Sequence, residues 1–181
     1  MTKAINPKVW GESGWLILHR LSFNIKTMSE VHQLFECLKL LLPCPMCRNN
    51  LITHLKIMGM PHNLRELPEF MYKLHKRANE SIEGKLKSCI TFQQVDALYK
   101  PLKSTINEKE WIFIEAVIST HKGYYKESSE FTDSLKKFLD LWVKYTSGLY
   151  PVTDTTSKLL LKEWVRKNKK KALEHFSECR V

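Results

Sequence analysis

The sequence predicts an all-α protein, in which a four-helix bundle with a short fifth helix is followed by a second helical region. Apolar residues recur at spacings of three and four along nearly the whole chain, and alternating β-branched runs are few. With 43% hydrophobic residues and only 6 glycines and 7 prolines among 181 residues, the chain is globular rather than disordered. Amphipathic segments joined by short loops favour a helical bundle.

Prolines, a glycine and a polar capping residue mark where the helices of the first half should begin and end. Apolar stripes place Trp15 and Leu18 on the inward face of the first helix, and Leu51 and Leu55 on that of the third. We expect Ser13 to cap the first helix and Pro43 to end the second. The third helix should run from Pro45 to Gly59, and the fourth should begin at Pro68. The short fifth helix is expected at 92–99.

A linker separates this bundle from the rest of the chain. We place the boundary near residue 104, which gives domains 1–104 and 105–181. The second domain contains no cysteine before Cys179, so it lacks a reactive pair of its own. Its amphipathic segments predict three further helices at roughly 108–121, 129–147 and 156–176.

The chain is strongly basic, with a formal net charge of +10. Such a charge indicates an acidic partner, an anionic cofactor or simply good solubility. The lysine-rich run 166–171 is typical of a solvated helix face. Nucleic-acid binding is the less favoured interpretation, because no stacking aromatics are arranged with these charges.

Cys44 and Cys47 form a Cys-x-x-Cys pair directly after an apolar segment and a proline. Such a pair is typical of redox chemistry or of metal binding. Structural zinc needs four ligands, and the remaining candidates, which are not in a second ligand-spaced pair, are His54, His62, Cys89 and Cys37. A thioredoxin-like fold needs a strand before the pair, but the preceding segment has a helical pattern. A redox disulfide on a helical bundle is therefore favoured, and it requires a cofactor as electron acceptor.

Two aromatic and polar pairs could form part of such a cofactor site. Trp15 and His19 are four residues apart, as are His75 and Asn79, so the members of each pair share one helix face. Lysines at positions 85 and 87 could meet phosphate charge. The alternative is that Trp15 and His19 are ordinary core residues, and for either residue taken alone this interpretation is the favoured one.

Several motifs in consistent order resemble the Erv/ALR-type FAD-dependent sulfhydryl oxidases, in particular the compact forms encoded by large DNA viruses. The motifs are Trp10-Gly11-x-x-x-Trp15-x-x-x-His19, then Leu42-Pro43-Cys44-Pro45-Met46-Cys47, then His75-x-x-x-Asn79 with Cys89 further along. The resemblance implies that FAD is held within the bundle. It implies that Trp15 and His19 pack against the flavin and that Gly11 lets the flavin approach the helix closely. His75 and Asn79 would contact the adenosine portion of FAD, and Lys85 or Lys87 its phosphates. Tyr99 would place an aromatic ring against the cofactor.

The resemblance also implies a mechanism, in which the chain forms disulfides in thiol-containing or thioredoxin-like partner proteins and passes electrons to O2, giving H2O2. Cys44 is expected to be the more exposed sulfur, attacked by substrate, and Cys47 the one that faces the flavin. The N-terminus of the third helix should lower the thiol pKa. The family usually has a second cysteine that pairs with the one at the Cys89 position, but here Glu66 lies where it would fall. The sequence also has no second Cys-x-x-Cys pair that could carry electrons from the substrate to the first pair.

The second domain repeats the motif order in weak outline, with Trp111, Trp164 and Asn168 at the positions of Trp15, His75 and Asn79. It is therefore interpreted either as a redox-inactive copy of the bundle, packed as an internal pseudo-dimer, or as an unrelated extension. A dimer of whole chains is the other expected assembly.

Two further functions are kept as alternatives: an inactive FAD-binding assembly protein, and a basic helical module that binds zinc or nucleic acid. The start of the chain has no apolar h-region and no apolar stretch reaches about 18 residues, so we expect no membrane insertion. The expected setting is intracellular: the cytoplasm, a viral factory or a virion, with the mitochondrial intermembrane space as the alternative.

Overall fold

The fold is all-α, as the sequence predicts. The computed structural model describes residues 4–80, 90–102, 106–122 and 128–178, and these contain eight α-helices and no β-strand. The helices are α1 (Pro7–Asn24), α2 (Met28–Leu41), α3 (Pro45–Met58), α4 (Leu67–Glu80), α5 (Phe92–Tyr99), α6 (Glu110–Ser119), α7 (Ser129–Lys144) and α8 (Lys158–Glu178).

The first helix begins earlier than predicted. Asn6 is its N-cap, because the Asn6 side chain accepts a hydrogen bond from the backbone N–H of Lys8 at 3.0 Å, and Pro7 occupies the first turn. The prediction that Ser13 caps this helix is wrong. Ser13 is buried within α1, since the Asn-Pro pair upstream already supplies a complete start signal.

The third helix has the predicted boundaries. Pro45 lies in its first turn, and Cys44 is the N-cap residue. The helix ends at Met58, and Gly59 follows with φ +71°, a left-handed conformation that favours glycine. Local chemistry therefore fixes the position of the cysteine pair at a helix N-terminus.

Seven of the eight described helices, all except α5, contribute to one continuous hydrophobic core. In the first half, α1 packs on α4, α3 packs on α2 and α4, and α5 packs on α1 and α4. The second half packs on this bundle through its first two helices: α6 packs on α1, and α7 packs on α2. The last helix, α8, packs on α6. None of the helices in the described part of the chain combines the length and apolar character needed to cross a bilayer.

A buried ion pair joins the two halves. The Arg20 guanidinium on α1 donates to both Glu110 carboxylate oxygens, with Nε–Oε1 and Nη2–Oε2 distances of 2.9 and 2.7 Å. The Trp142 indole on α7 donates to Glu110 Oε2 at 2.8 Å, and Arg20 also donates to Thr146 Oγ1 at 2.8 Å. Because Arg20 and Glu110 are only 1% and 0% exposed, this network holds α1 against α6 and α7 without competition from water.

Gly14 permits the close approach of α1 and α6. A Cβ atom added at Gly14 would lie 3.0 Å from Phe113 Cδ2. We expect Gly14→Ala to lower the free energy of unfolding by about 1–3 kcal/mol through overpacking. Gly11 on the same helix is the matched control, because a Cβ there meets nothing within 4 Å. Gly11→Ala should leave stability unchanged or raise it by up to about 1 kcal/mol through helix propensity. Urea unfolding that shows equal effects for both variants would contradict this account of the crossing.

Candidate redox and cofactor site

The two sulfurs lie at the turn from α2 into α3. Cys44 Sγ accepts a hydrogen bond from the Cys47 backbone N–H at 3.3 Å, which is the capping bond of α3. Both residues are free thiols in this structure. The backbone carbonyl of Pro43 accepts from the N–H of Ile5 at 3.1 Å, so the N-terminal segment is tied to this turn.

The relative exposure of the two thiols is opposite to the prediction. Cys44 is only 9% exposed, whereas Cys47 is half-buried. The reason is the capping bond, which directs the Cys44 sulfur toward the first turn of the helix instead of toward solvent. Pro45 and Met46, which separate the two cysteines, are exposed, and Met46 reaches 71%.

The expected lowering of the thiol pKa is not found at Cys47. Burial, followed by the interaction with the Cys44 sulfur, raises the pKa of Cys47 to about 12. These effects outweigh the field of the helix N-terminus. When both thiols are reduced, Cys47 therefore keeps its proton at neutral pH.

Four of the residues predicted to bind the cofactor lie in one aromatic cluster between α1, α4 and α5. The Trp15 and His75 rings stack with centroids 4.1 Å apart and planes inclined by 10°. His19 Nε2 and His75 Nδ1 are hydrogen-bonded at 3.0 Å, and the His19 ring lies 4.9 Å from that of Tyr99. We call Trp15, His19, His75 and Tyr99 the aromatic cluster. Because α3 packs on α4, the helix that carries the thiols is a direct neighbour of the one that carries His75.

The cluster contains a buried polar atom that the protein leaves without a partner. His19 is 2% exposed, and its Nδ1 has no hydrogen bond within the described residues. Such an orphaned nitrogen is costly unless a ligand or water satisfies it. Gly11 lies one turn before Trp15 on the same helix, with open space beside its Cα. An orphaned nitrogen, flat aromatic surfaces and an open glycine suit a polar heteroaromatic ligand such as a flavin.

Both imidazoles of the cluster are neutral near pH 7. Burial, together with the field of His75, lowers the pKa of His19 to about 3, and burial lowers the pKa of His75 to about 4. A neutral pair shares one N–H in its mutual hydrogen bond, so either tautomer leaves His19 Nδ1 as a donor or an acceptor for a third group.

Acid should destabilise the fold through these two histidines. In the unfolded chain they take up protons below their ordinary pKa of 6.5, whereas in the folded chain they resist protonation until about pH 4 or below. Between these limits the unfolded chain binds more protons, so the free energy of unfolding falls by up to about 1.4 kcal/mol per pH unit for each imidazole. Above about pH 7 both states are neutral and the contribution is constant.

Urea unfolding measured between about pH 7 and pH 4 tests this expectation. The double variant His19→Phe/His75→Phe serves as the control, because it removes both titrating groups and keeps aromatic side chains in the cluster. Its unfolding free energy should depend less steeply on pH than that of the wild type. Equal slopes would show that other groups cause the acid response.

The remaining predicted site residues lie outside the cluster. Asn79, one turn after His75 on α4, is exposed. Lys85 and Lys87, assigned to phosphate contacts, lie outside the described residues, as do Cys89 and Cys179. Cys37 is buried in the core, where burial raises its pKa to about 11.

The second half contains contacts that parallel those of the cluster. Trp111 on α6 contacts Trp164 on α8 with ring centroids 6.2 Å apart, as Trp15 on α1 contacts His75 on α4. Here a third ring joins the contact: Trp142 lies 5.0 Å from Trp111 and 6.3 Å from Trp164, in edge-to-face arrangements. Asn168 is fully buried, and its side chain bonds to the Tyr150 N–H and to the Trp164 carbonyl. No helix lies between α7 and α8, where a counterpart of α3 would fall.

In the described part of the chain, the zinc alternative gains no ligand cluster, and the lysine run of the nucleic-acid alternative is partly engaged with the protein itself. Among the described residues, no three His, Cys, Asp or Glu side chains come together as metal ligands would. Several lysines of the run 166–171 are engaged with the protein itself. Lys169 pairs with Glu115 at 2.6 Å, and the Lys171 ammonium lies 3.7 Å from the centre of the Tyr150 ring.

The site has been described from this chain alone. Comparison of the chain with protein-family models, with curated proteins and with solved structures found no match. Functional proposals therefore rest on its own contacts and on the order of the motifs in its sequence.

Proposed function

We propose that the chain is an FAD-dependent sulfhydryl oxidase that forms disulfides in thiol-containing or thioredoxin-like partner proteins, within an intracellular compartment such as the cytoplasm, a viral factory or a virion. One observation carries the proposal. Trp15, His19, His75 and Tyr99, chosen from the sequence as cofactor contacts, lie together around a buried nitrogen without a partner. They belong to the same bundle as the Cys-x-x-Cys pair.

Each cluster residue has a role in holding the cofactor. His19 Nδ1 would hydrogen-bond the polar edge of the ring system, which satisfies the orphaned nitrogen. Trp15 and the neutral His75 imidazole stack on each other, and because both residues are half-buried, the outer faces of this stack would supply the flat surface for the cofactor. Tyr99 closes the cluster from α5. When bound, FAD would accept two electrons from the thiol pair and pass them to O2, which gives H2O2.

The protein's own chemistry is thiol–disulfide exchange at a Cys44–Cys47 disulfide. A substrate thiolate attacks Cys44, which forms a mixed disulfide and releases Cys47 as a thiolate that takes up a proton. A second substrate thiolate attacks the substrate sulfur of that mixed disulfide and releases Cys44. Two substrate thiols thereby become one disulfide, and the cysteine pair gains two electrons and two protons. The high pKa of Cys47 favours its protonation after release.

Turnover measurements test this proposal. The purified protein, supplied with FAD and a dithiol, should consume O2 and produce one H2O2 for each disulfide formed. A sample that consumes no O2 with any dithiol, although FAD is present, would refute the oxidase. H2O2 formation without dithiol loss would indicate flavin autoxidation instead.

We further propose that residues 105–181 are a redox-inactive copy of the bundle, packed on the first as an internal pseudo-dimer. The pairings of α6 with α1 and α7 with α2 support this, because a two-fold contact joins equivalent surfaces. The parallel contacts of Trp15 with His75 and Trp111 with Trp164 support it as well. In the second half, Trp142 contacts both Trp111 and Trp164 edge to face, so a third tryptophan covers the counterparts of Trp15 and His75.

This arrangement predicts one flavin per chain and a monomer in solution. Flavin released by heating can be counted against protein concentration, and analytical ultracentrifugation gives the assembly state. Two flavins per chain, or a stable dimer of whole chains, would contradict the pseudo-dimer.

A further inference from the structure

The two histidines of the aromatic cluster form a hydrogen-bonded chain that leads from a buried position toward solvent. His19 is 2% exposed, and its Nδ1 has no partner within the described residues. The other nitrogen of that ring, Nε2, is hydrogen-bonded to His75 Nδ1 at 3.0 Å. His75 is only half-buried, and its Nε2, unlike His19 Nδ1, is not fully buried without a partner. The chain therefore begins at the orphaned nitrogen and ends at a nitrogen that water can reach.

This arrangement suits the transfer of a proton. A neutral imidazole has one N–H group and one acceptor nitrogen, so it can take up a proton at one nitrogen while it gives one up at the other. When water protonates His75 Nε2, the proton on His75 Nδ1 can move to His19 Nε2, and the proton on His19 Nδ1 can move to a group beside it. Both rings are neutral before and after the transfer. Because burial keeps the pKa of both imidazoles low, the pair passes a proton on and does not store it as positive charge.

The other two members of the cluster offer no such path. Tyr99 lies 4.9 Å from the His19 ring, but the two side chains share no hydrogen bond within the described residues. Burial, followed by the fields of Glu12 on α1 and Glu110 on α6, raises the pKa of Tyr99, so its phenol is also neutral near pH 7. The indole N–H of Trp15 can donate a hydrogen bond but cannot accept one. The hydrogen-bonded route out of the cluster therefore consists of the two histidines.

We infer that His19 and His75 form a relay that carries a proton between solvent and the ring system of the bound cofactor. The inference rests on the proposed thiol oxidation and gives the two residues a chemical role in addition to binding. The reduced Cys44–Cys47 pair gives up two electrons and two protons when its disulfide forms again. The two thiol protons leave to solvent, and the relay supplies the one proton that the ring takes up with the two electrons. His19 contacts the ring, and His75 acts through His19.

NMR of the flavin-free protein tests the hydrogen bond on which the relay depends. With ¹⁵N-labelled histidine, a scalar coupling should join His19 Nε2 and His75 Nδ1, because such a coupling is transmitted through a formed hydrogen bond. The signal of His19 Nδ1 should shift when FAD is added, and those of His32, an exposed histidine on α2, should stay in place. An absent coupling would overturn the relay, whatever the activity of the protein.

Flash photolysis measures the proton transfer itself. A laser flash with an external electron donor reduces the bound flavin without the thiols, and the flavin absorbance then reports the arrival of the proton. His75→Phe keeps an aromatic ring and should slow this protonation about 100-fold, since a positioned proton donor contributes at least that much. His32→Ala is the matched control and should keep the wild-type rate.

Chemical rescue separates proton transfer from a purely structural role of His75. In His75→Ala, added imidazole should restore fast protonation. Pyrrole is a ring of the same size that has no acceptor nitrogen, so it should not restore the rate. His32→Ala should respond to neither compound.

The outcomes distinguish the relay from the oxidase. A wild-type protonation rate in His75→Phe, or equal restoration by imidazole and pyrrole, would overturn the relay while dithiol turnover still supports the oxidase. Fast protonation that depends on His75, in a protein whose flavin dithiols do not reduce, would overturn the oxidase alone. A protein that binds no flavin when FAD is supplied would overturn both.

Discussion

Cys44→Ser and Cys47→Ser should each abolish dithiol oxidation, reducing it to the rate of the uncatalysed reaction. A serine hydroxyl cannot form or exchange a disulfide, so either change removes the only close cysteine pair in the sequence. Because the two sulfurs act as one unit, the double variant should be no slower than either single variant. Oxygen consumption with dithiothreitol gives the rates.

Cys37→Ala is the matched control for these variants. Cys37 is a core thiol that is 2% exposed, so its loss should leave turnover near the wild-type value. Unchanged turnover in Cys44→Ser or Cys47→Ser would refute the assignment of the redox pair.

The order of attack can be read from trapped intermediates. With Cys47 removed, the Cys44 thiolate should attack a substrate cysteine supplied as a mixed disulfide with thionitrobenzoate and release thionitrobenzoate. The substrate should then remain disulfide-bonded to Cys44, and mass spectrometry of the unreduced protein would locate the bond. Accumulation at Cys47 in the Cys44→Ser variant instead would reverse the two roles. Because Cys47 is the more exposed sulfur in the free-thiol form, accumulation at Cys47 is the alternative that this experiment must distinguish from the proposed attack on Cys44.

The largest expected effect on stability comes from the ion pair between the halves. Arg20→Met or Glu110→Leu should lower the free energy of unfolding by about 3–5 kcal/mol, because each leaves a fully buried charge without its partner. The double variant should be less destabilised than the sum of the two, since it removes both charges and replaces them with apolar groups. Trp142 loses its acceptor in that variant, so recovery should be partial.

Asp140→Ala provides the comparison, because the Lys136–Asp140 pair at 2.6 Å lies at the surface, with both side chains nearly half exposed. Its loss should cost at most about 0.5 kcal/mol. Urea unfolding of the four variants measures all these values. A cost for Glu110→Leu as small as that for Asp140→Ala would show that the buried network does not hold the halves together.

Local features of the sequence were sufficient to predict most of the helices. Pro45 and Gly59 bound α3 as expected, and α5 spans the predicted residues, because proline, glycine and capping side chains act within one turn. The wrong prediction that Ser13 caps α1 has the same cause, because a local capping signal does not show whether the helix has already begun upstream. Ser13 can cap a helix, but the stronger Asn-Pro signal lies about two turns upstream.

Features that depend on distant residues could not be predicted from local pattern. Arg20 and Glu110 are 90 residues apart, and each alone resembles an ordinary surface charge. The exposure of Cys44 also depends on tertiary packing and on a capping bond to its own sulfur. Within the aromatic cluster, only Trp15 and His19 are linked by helical spacing. His75 and Tyr99 are assigned to the same site through the resemblance of the motif order to the sulfhydryl oxidases.

Anaerobic titration of the purified protein with a dithiol tests the central claim most directly. The protein should be yellow with bound flavin, and about two equivalents of dithiol per flavin should bleach the colour completely, because the Cys44–Cys47 disulfide and the flavin each take up two electrons. In Cys47→Ser the colour should persist after the same addition, and air should restore it in the wild type. A wild-type protein that binds no flavin when FAD is supplied, or a yellow one that dithiol does not bleach, would contradict the flavin-linked oxidase.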